Sequence, residues 1–425
     1  MKKNKIRVRF APSPTGQPHI GSIRTALYNW LFAKNNKGKF ILRIEDTDRK
    51  RLVPDSLNGI YQAMAWLGIT PDEGPTQGGD YEPYQQSDRL SIYQPYVSKL
   101  IKEKKAYYCF CLPERLEKLR QTQKNTKQPT RYDGHCLRFS DNEIKEKLAK
   151  KESSVVRLKV PAVGDTSVND LVRGRVTVSN ELIDHQILVK SDGYPTYHLA
   201  SVIDDHLMEI SHVIRAEEWL PSTPKHVLLY QAFGWTPPMF AHLSMIIGND
   251  KAKLSKRHGA TATLEYRDMG IVPAAMISFL ALLGWNPGTE QEIFSKDDLI
   301  KQFSLAKLNK SPAVFNIEKL KAINAKIIRT MPADELIKLA EPYLLEYQAY
   351  DSAKLISLFQ DRIDQLNEIP GRLNYLNNLP DYEAGLLVPK QGSAEKAKKH
   401  LTDVLMEINN LSEIISDADK LRKHF

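Results

Sequence analysis

The chain has 425 residues, of which 42% are hydrophobic, so a wholly disordered protein is excluded. Lysine and arginine number 60 against 51 acidic residues, and the resulting net charge of +9 permits a polyanionic partner without identifying one. The chain has only three cysteines, which is too few for a scaffold built on disulfides. Its longest apolar stretch, 272–285, is shorter than the about 20 residues that a membrane span needs. With no apolar signal core at the N-terminus, we expect a soluble cytoplasmic protein of two to four domains.

The first seventy residues predict a strand–helix–strand–helix unit. A short strand at Ile6 to Phe10 and a proline-rich loop precede a helix that begins near His19. Apolar residues recur in this helix with the spacing of a buried stripe. The apolar run Phe40 to Ile44 predicts a strand buried on both faces, and Asp55 to Leu67 predicts a second helix that ends at the following glycine. This alternation favours a doubly wound parallel sheet, and therefore an α/β fold.

The remaining chain divides by composition and pattern. The lysine-rich segment 93–190 contains all three cysteines and predicts a subdomain inserted between the two halves of the sheet. Beyond residue 271 the strand patterns give way to helical ones separated by proline, glycine and asparagine. We therefore expect five segments: 1–92 and 191–247 as the halves of the sheet domain, 93–190 as the insert, 248–330 as a basic loop and helical domain, and 331–425 as a second helical region.

A phosphate-binding motif is predicted where the first helix begins. His19, Ile20, Gly21 and Ser22 lie between a strand and a helix, where open α/β sheets bind ligands. Free backbone N–H groups and the helix dipole favour phosphate there, and a histidine can donate to a phosphate oxygen. Taken alone, the alternative is a chance run of four common residues.

A basic loop follows the last predicted strand. Lys253 and Lys256 are three residues apart, and such a loop can close over a triphosphate and stabilise charge in the transition state. Taken alone, the alternative is a solvated basic loop.

In this order the two elements resemble the HIGH- and KMSKS-type motifs of class I aminoacyl-tRNA synthetases. Longer motifs are similar to those of the glutamyl-tRNA synthetase family of the bacterial type, and the similarity runs nearly the length of the chain. These motifs are residues 9–16, 42–49, 192–198, 204–206, 213–219, 253–257 and 273–285. The resemblance implies a Rossmann-like class I catalytic domain, an inserted acceptor-binding subdomain and an all-α anticodon-binding region.

The resemblance implies a glutamate–tRNA ligase. Such an enzyme activates L-glutamate with ATP to glutamyl-adenylate and then transfers it to the 3′-terminal ribose of tRNA(Glu). The implied partners are L-glutamate, ATP with Mg²⁺, and tRNA(Glu). The enzyme itself is expected to be a monomer that does not contact membranes. Whether tRNA(Gln) is also charged stays open.

The resemblance also implies roles at matching positions. The implied catalytic residues are His19, Lys253 and Lys256, and those for ATP binding are His19, Gly21, Ser255 and Lys256. The implied glutamate-binding residues are Arg9, Ser13, Glu45, Tyr197, Ser201 and Arg215, with Ser201 standing where the family commonly has asparagine. An arginine such as Arg215 can hold a γ-carboxylate with two hydrogen bonds. The alternative is an internal ion pair with Glu217 or Asp204.

The three cysteines form an incomplete metal-site pattern. Cys109, Cys111 and Cys136 occupy positions where zinc-containing members of the family have ligands, but the fourth ligand position holds an arginine. Tyr132 or His135 could supply the fourth ligand, since structural zinc normally takes four. The alternative is three reduced cysteines of a lapsed site.

Two further expectations concern the C-terminus and the competing functions. The chain ends before a final signature expected of the family, so either the chain is truncated or its anticodon-binding region is reduced. The competing functions are a nucleotidyltransferase that does not use tRNA, a paralogue that glutamylates a modified tRNA base, glutaminyl-tRNA synthetase, and an inactive RNA-binding module. The helical C-terminal region argues against the first three, and the presence of both His19 and Lys256 argues against the last.

Overall fold

The computed structural model describes residues 5–254, 262–378 and 381–410, and the chain divides into two compact units, Met1–Glu368 and Ile369–Phe425. The strands are Arg7–Phe10 (β1), Lys39–Leu42 (β2), Ala106–Cys109 (β3), Val155–Leu158 (β4), Asp165–Asp170 (β5), Gly174–Ser179 (β6), Ile187–Val189 (β7), His212–Ala216 (β8), Met239–Leu243 (β9), Ile246–Ile247 (β10) and Ala313–Val314 (β11). The helices of the first unit are Ile20–Asn35 (α1), Ser56–Leu67 (α2), Leu90–Lys102 (α3), Pro113–Asn125 (α4), Asp141–Ala149 (α5), Tyr197–Leu207 (α6), Thr223–Phe233 (α7), Thr263–Asp268 (α8), Pro273–Leu282 (α9), Lys296–Gln302 (α10), Ile317–Thr330 (α11), Ala333–Ala340 (α12) and Ser352–Phe359 (α13). The second unit contains Ile369–Leu373 (α14) and Ala394–Asn410 (α15).

The predicted parallel sheet is confirmed. β1 pairs in parallel with β2, and β8 pairs in parallel with β9. The two pairs are neighbours because the backbone N–H of Ser211, just before β8, donates to the Arg7 carbonyl at 2.9 Å. The carboxyl ends of β1, β8 and β9 therefore lie along one edge, where an open α/β sheet binds its ligand.

The hairpin β5–β6 extends this sheet from within the segment predicted to be an insert. β5 pairs antiparallel with β6, and Asp170 at its end pairs in parallel with Phe240 of β9. The sheet thus continues into residues 93–190. Partners separated by 70 positions leave no local sequence pattern, which is why this contact was not predicted.

The rest of segment 93–190 has its own small sheet. β3, β4 and β7 pair antiparallel in that order. The side chains of Leu158 and Leu188 are buried in one cluster with Leu199 and Ile203 of α6. This cluster attaches the small sheet to a helix of the catalytic half.

Local sequence determines where the first two helices lie. α1 begins after His19, whose side chain accepts hydrogen bonds from the first free N–H groups of the helix. α2 ends at Gly68, which has a φ of 62° in the left-handed region that glycine favours. Both helices match the predicted segments.

The predicted change to helical structure after residue 271 is confirmed, with one short exception. α9 is buried on nearly all sides, as an apolar helix within a core should be. β11 pairs in parallel with β10 and was not predicted, because two residues are too few for a strand pattern. Among the described residues, no helix is both long and apolar enough to cross a membrane.

Candidate active site

A cavity of about 710 Å³ lies at the carboxyl ends of β1, β8 and β9. The residues that line it come from segments far apart in the sequence. They include these predicted site residues: Arg9, Ser13, His19, Gly21, Glu45, Tyr197, Ser201, Arg215 and Lys253. Ser255 and Lys256, also predicted, lie outside the described residues.

His19 uses one ring nitrogen to hold the helix, and its other ring nitrogen has no hydrogen-bond partner among the described residues. Its Nδ1 accepts the backbone N–H groups of Gly21 at 3.0 Å and Ser22 at 3.3 Å. An imidazole nitrogen that accepts hydrogen bonds has no proton, so the proton of the neutral ring must be on Nε2. Partial desolvation by the surrounding protein lowers the pKa of His19 below its ordinary value; the charge of Glu218 opposes this effect and that of Lys253 adds to it. His19 therefore presents a neutral N–H donor at a helix N-terminus.

Buried ion pairs fix the predicted glutamate-binding side chains on one side of the cavity. Arg9 donates to both carboxylate oxygens of Asp205, at 3.0 and 3.3 Å. Arg43 donates to Asp205 at 2.7 Å, to Glu45 at 2.8 Å and to Ser201 at 3.3 Å. Burial opposes ionisation of Asp205, but the two guanidinium groups hold its pKa below the ordinary value. The predicted residues Arg9, Glu45 and Ser201 are thus joined through two residues that sequence reasoning missed, although both lie inside the quoted motifs.

Arg215 also lines the cavity, and its hydrogen-bond partners among the described residues are all uncharged. Its Nε donates to His242 Nε2 at 3.1 Å, and its Nη2 donates to Thr223 Oγ1 at 2.9 Å. Weaker contacts at 3.4 Å join Nη1 to His226 and Nη2 to the Trp219 carbonyl. Burial lowers the pKa of Arg215 to about 10, and the charge of Arg9 adds to this effect. The group stays charged at neutral pH.

The alternative of an internal ion pair for Arg215 is wrong. Glu217 pairs with Arg173, and Asp204 pairs with Arg89 at 2.8 Å. Among the described residues, no carboxylate lies within ion-pair distance of Arg215. A buried cation without a carboxylate partner favours an anionic ligand, because an uncompensated buried charge is costly.

Tyr197 forms an aromatic wall beside Arg215. Its ring centroid lies 4.9 Å from that of Trp219 and 5.7 Å from that of His226. Its hydroxyl is buried without a hydrogen-bond partner in the described part of the chain. A polar ligand in the cavity would satisfy this group.

Lys253 reaches the same cavity from the segment after β10. Its ammonium group pairs with Glu218 at 2.7 Å, and both side chains are largely exposed. Exposed ion pairs contribute little to stability, so this lysine can exchange partners at low cost.

The three cysteines lie together, away from the cavity. Their sulfur atoms are all within 4.8 Å of one another. The Tyr132 hydroxyl lies 3.3 Å from Cys111 Sγ and accepts the backbone N–H of Cys136 at 2.9 Å. His135 is instead exposed and packs its ring against Phe139. Of the two candidate fourth ligands, the geometry favours Tyr132.

Comparison with known proteins identifies the family. Residues 5–322 match the family model described as "tRNA synthetases class I (E and Q), catalytic domain", and residues 335–423 match "Anticodon binding domain". The chain belongs to the class I tRNA synthetases of this E and Q group. The predicted fold class, a class I catalytic domain with a helical anticodon-binding region, is therefore confirmed.

Individual relatives of this family are similar over most of their length. The glutamate–tRNA ligase of Dehalococcoides mccartyi strain CBDB1 is 46% identical over 99% of this chain and 87% of that relative. The glutamate–tRNA ligase of Borreliella afzelii is 52% identical over 80% of this chain and 69% of that relative. The crystal structure of glutamate-tRNA synthetase from Elizabethkingia anophelis superposes with a TM-score of 0.83 at 38% identity, over 94% of this chain and 90% of that one.

Proposed function

We propose that this class I synthetase is a glutamate–tRNA ligase. The single observation that supports glutamate most directly is Arg215, a buried guanidinium at the cavity with only uncharged partners in the described structure. A γ-carboxylate would supply the missing negative charge and accept a charge-assisted hydrogen bond from the remaining Nη1–H, whereas a carboxamide has no negative charge to offer. The relatives named glutamate–tRNA ligase agree with this assignment.

The proposed reaction has two steps. The α-carboxylate of glutamate attacks the α-phosphorus of ATP, which gives glutamyl-adenylate and releases pyrophosphate. A hydroxyl of the terminal tRNA ribose then attacks the adenylate carbonyl and displaces AMP. Neither step needs a covalent bond to the enzyme, so the protein acts by positioning and by stabilising charge.

Three groups at the cavity would perform this work. Nε2–H of His19 would donate to the phosphates at the N-terminus of α1, where the helix dipole also favours them. Lys253, with Lys256 beyond the described residues, would neutralise developing phosphate charge. Glu45 and Tyr197 would hold the substrate amino group and orient the carboxylate toward ATP. Mg²⁺, when bound with ATP, would screen the phosphate oxygens.

We further propose a structural zinc ion at Cys109, Cys111, Cys136 and Tyr132. Three sulfur atoms within 4.8 Å and a phenol oxygen beside them fit a four-coordinate ion. Such an ion would connect β3 to the loop that contains Tyr132 and stabilise the insert.

The finer partners and regions are also proposals. We propose that segment 93–190 contacts the acceptor end of tRNA, that the helices of 248–330 contact its stem, and that 331–425 contacts the anticodon. The protein is expected to act as a monomer in the cytoplasm. The match of residues 335–423 to an anticodon-binding model argues against the paralogue that modifies a tRNA base, which resembles the catalytic half only.

Aminoacylation of separated tRNAs tests the proposal. The protein is expected to attach glutamate to purified tRNA(Glu), and ATP–pyrophosphate exchange with glutamate is expected to require that tRNA. Charging of tRNA(Gln) in the same assay decides whether the enzyme discriminates between the two tRNAs. Failure to charge any tRNA with glutamate would overturn the proposed function.

A further inference from the structure

The surroundings of Arg215 contain a second layer of residues that neither the motifs nor the proposed reaction explains. His242 of β9 and His226 of α7 are both buried and both contact the Arg215 guanidinium. Asp170, at the end of β5, is buried behind His242. These three residues come from three separate elements. Their buried polar groups surround Arg215, two in direct contact and Asp170 behind His242.

The hydrogen bonds fix the protonation of His242. Arginine can only donate, so His242 Nε2 must accept the Nε–H of Arg215 at 3.1 Å. The ring proton is therefore on Nδ1, which donates to Asp170 Oδ2 at 2.6 Å. Burial lowers the pKa of His242 despite this carboxylate, in agreement with a neutral ring.

The same reasoning extends to the other side of the guanidinium. His226 Nδ1 faces Arg215 Nη1 at 3.4 Å and must accept, so its proton is on Nε2 and donates to His198 Nδ1 at 3.0 Å. Burial and the charge of Arg215 lower the pKa of His226. Two neutral rings thus hold the guanidinium from two directions.

Asp170 is anchored more firmly than a simple counter-ion needs. Its Oδ1 accepts the backbone N–H groups of Val172 at 2.9 Å and Arg173 at 2.8 Å. Its Oδ2 accepts from His242 Nδ1 at 2.6 Å, and Oδ1 also accepts the backbone N–H of His242 at 3.3 Å. The ring of His242 therefore separates the negative charge of Asp170 from Arg215. The carboxylate fixes the tautomer of this ring without forming an ion pair with the guanidinium.

We propose that Asp170, His242 and His226 are positioning residues that orient Arg215 through neutral acceptors and so reserve its charge for the carboxylate of the substrate. A carboxylate placed directly on Arg215 would compete with that of the substrate, and a site without acceptors would leave the side chain mobile. The arrangement avoids both outcomes. The inference rests on the proposed glutamate specificity and adds residues that do not touch glutamate.

Asp170→Asn is the most informative substitution because it changes no volume. The two backbone N–H groups keep the amide oxygen at the Oδ1 position, so the amide NH₂ faces His242 Nδ1. His242 would then move its proton to Nε2 and point a donor at the Arg215 Nε–H. We expect KM for glutamate to rise about 10–100-fold, the range known for groups that orient metal-binding histidines, while KM for ATP changes little.

A second pair of variants separates positioning from folding. His242→Gln retains an oxygen that can accept from Arg215, whereas His242→Leu retains the bulk and loses the acceptor. Glutamine is expected to keep KM for glutamate closer to wild type than leucine does. His212→Gln is the matched control, since His212 begins β8, the strand that contains Arg215, but contacts Ser211 and Phe32 instead.

Steady-state aminoacylation, together with ¹⁵N spectra of histidine-labelled full-length protein, decides the proposal. Support requires the selective rise in KM for glutamate and a shift of the His242 tautomer in Asp170→Asn, with His212→Gln unchanged. An unchanged KM for glutamate in Asp170→Asn, or equal values for His242→Gln and His242→Leu, would overturn it. If Asp170→Asn fails to fold, the His242 pair decides alone. If wild-type protein does not charge glutamate at all, the proposed function fails and not only this inference.

Discussion

At the scale of single residues, His19 shows how a helix cap and a phosphate ligand can share one side chain. Nδ1 satisfies two free N–H groups of α1, which fixes the ring of a residue that lines the cavity. Gly21 is part of the same arrangement, because a Cβ there would lie 3.0 Å from His19 Cε1. The histidine and the glycine of the motif therefore have one explanation: a capping imidazole needs space beside it.

His19→Asn is expected to separate the two roles. Asparagine is among the best N-cap residues, so the helix should be retained and the melting temperature should stay near that of wild type. The Nε2–H donor is lost, and the rate of ATP–pyrophosphate exchange should fall about 10²–10³-fold, as on removal of one oxyanion-hole donor. Thermal unfolding and exchange are measured on the same sample. A variant with full exchange activity would show that Nε2 does not contact the phosphates.

Gly21→Ala tests the space beside the ring without changing any donor. The added methyl group would push the imidazole away, so exchange activity should fall by up to about 100-fold, as a misplacement of about 1 Å can cause, although His19 is intact. Gly385→Ala is the matched control, because a Cβ there meets no atom within 4 Å. Equal activity of the Gly21 variant and wild type would contradict the capping geometry.

At the scale of elements, the sequence predicts the helices whose signals are local and misses contacts between distant segments. α1 and α2 were predicted because the spacing of their apolar residues and the glycine that ends α2 are signals within each segment. The pairing of Asp170 with Phe240 had no such pattern, although it adds a strand pair to the catalytic sheet. The residues of the candidate site also fall into a group that the sequence predicts and a group that it misses. Motifs identified the cavity-lining residues, whereas His242 was missed because its partners, Asp170 and Arg215, are 72 and 27 positions away.

The cysteine cluster gives a prediction at this scale, since it joins β3 to a distant loop. Metal analysis of purified protein is expected to find about one zinc per chain, as a four-ligand site requires. Tyr132→Phe removes the phenol oxygen but keeps the ring, so it should lower zinc affinity, whereas His135→Ala should leave the zinc content unchanged. Less than about a tenth of an equivalent in wild type would favour three reduced cysteines without metal.

At the scale of the whole molecule, the net charge of +9 acquires a partner once tRNA is the substrate. Each phosphate neutralised by lysine or arginine releases condensed counterions, so affinity depends on salt. If the protein contacts 6–10 phosphates, tRNA affinity should fall about 10³–10⁵-fold between about 50 and about 200 mM salt. Filter binding over this range measures the slope, with KM for glutamate as the internal comparison. A flat tRNA profile would mean that the basic excess does not contact the tRNA backbone.

Stability is the other property of the whole molecule, and buried neutral histidines determine part of its pH dependence. Burial lowers the pKa values of His226 and His242, and that of His198 to about 3, from an ordinary value of 6.5. At pH values below 6.5 but above these lowered pKa values, the unfolded chain binds protons that the folded chain excludes. The free energy of unfolding therefore falls as the pH falls. Each excluded proton contributes a slope of about 1.4 kcal/mol per pH unit.

The melting temperature is therefore expected to decrease from about pH 7 to about pH 5. Acidic groups held ionised, such as Asp205, add their losses only below their ordinary value of 3.8, while the raised pKa of Glu45 acts in the opposite direction above its ordinary value of 4.5. The histidines thus dominate the upper part of the range. His198→Gln removes one excluded proton and should reduce the dependence by that share, as scanning calorimetry of both proteins at several pH values would reveal. A melting temperature that rises toward pH 5 would mean that these rings are protonated in the folded protein, and the neutral acceptors around Arg215 would then be misassigned.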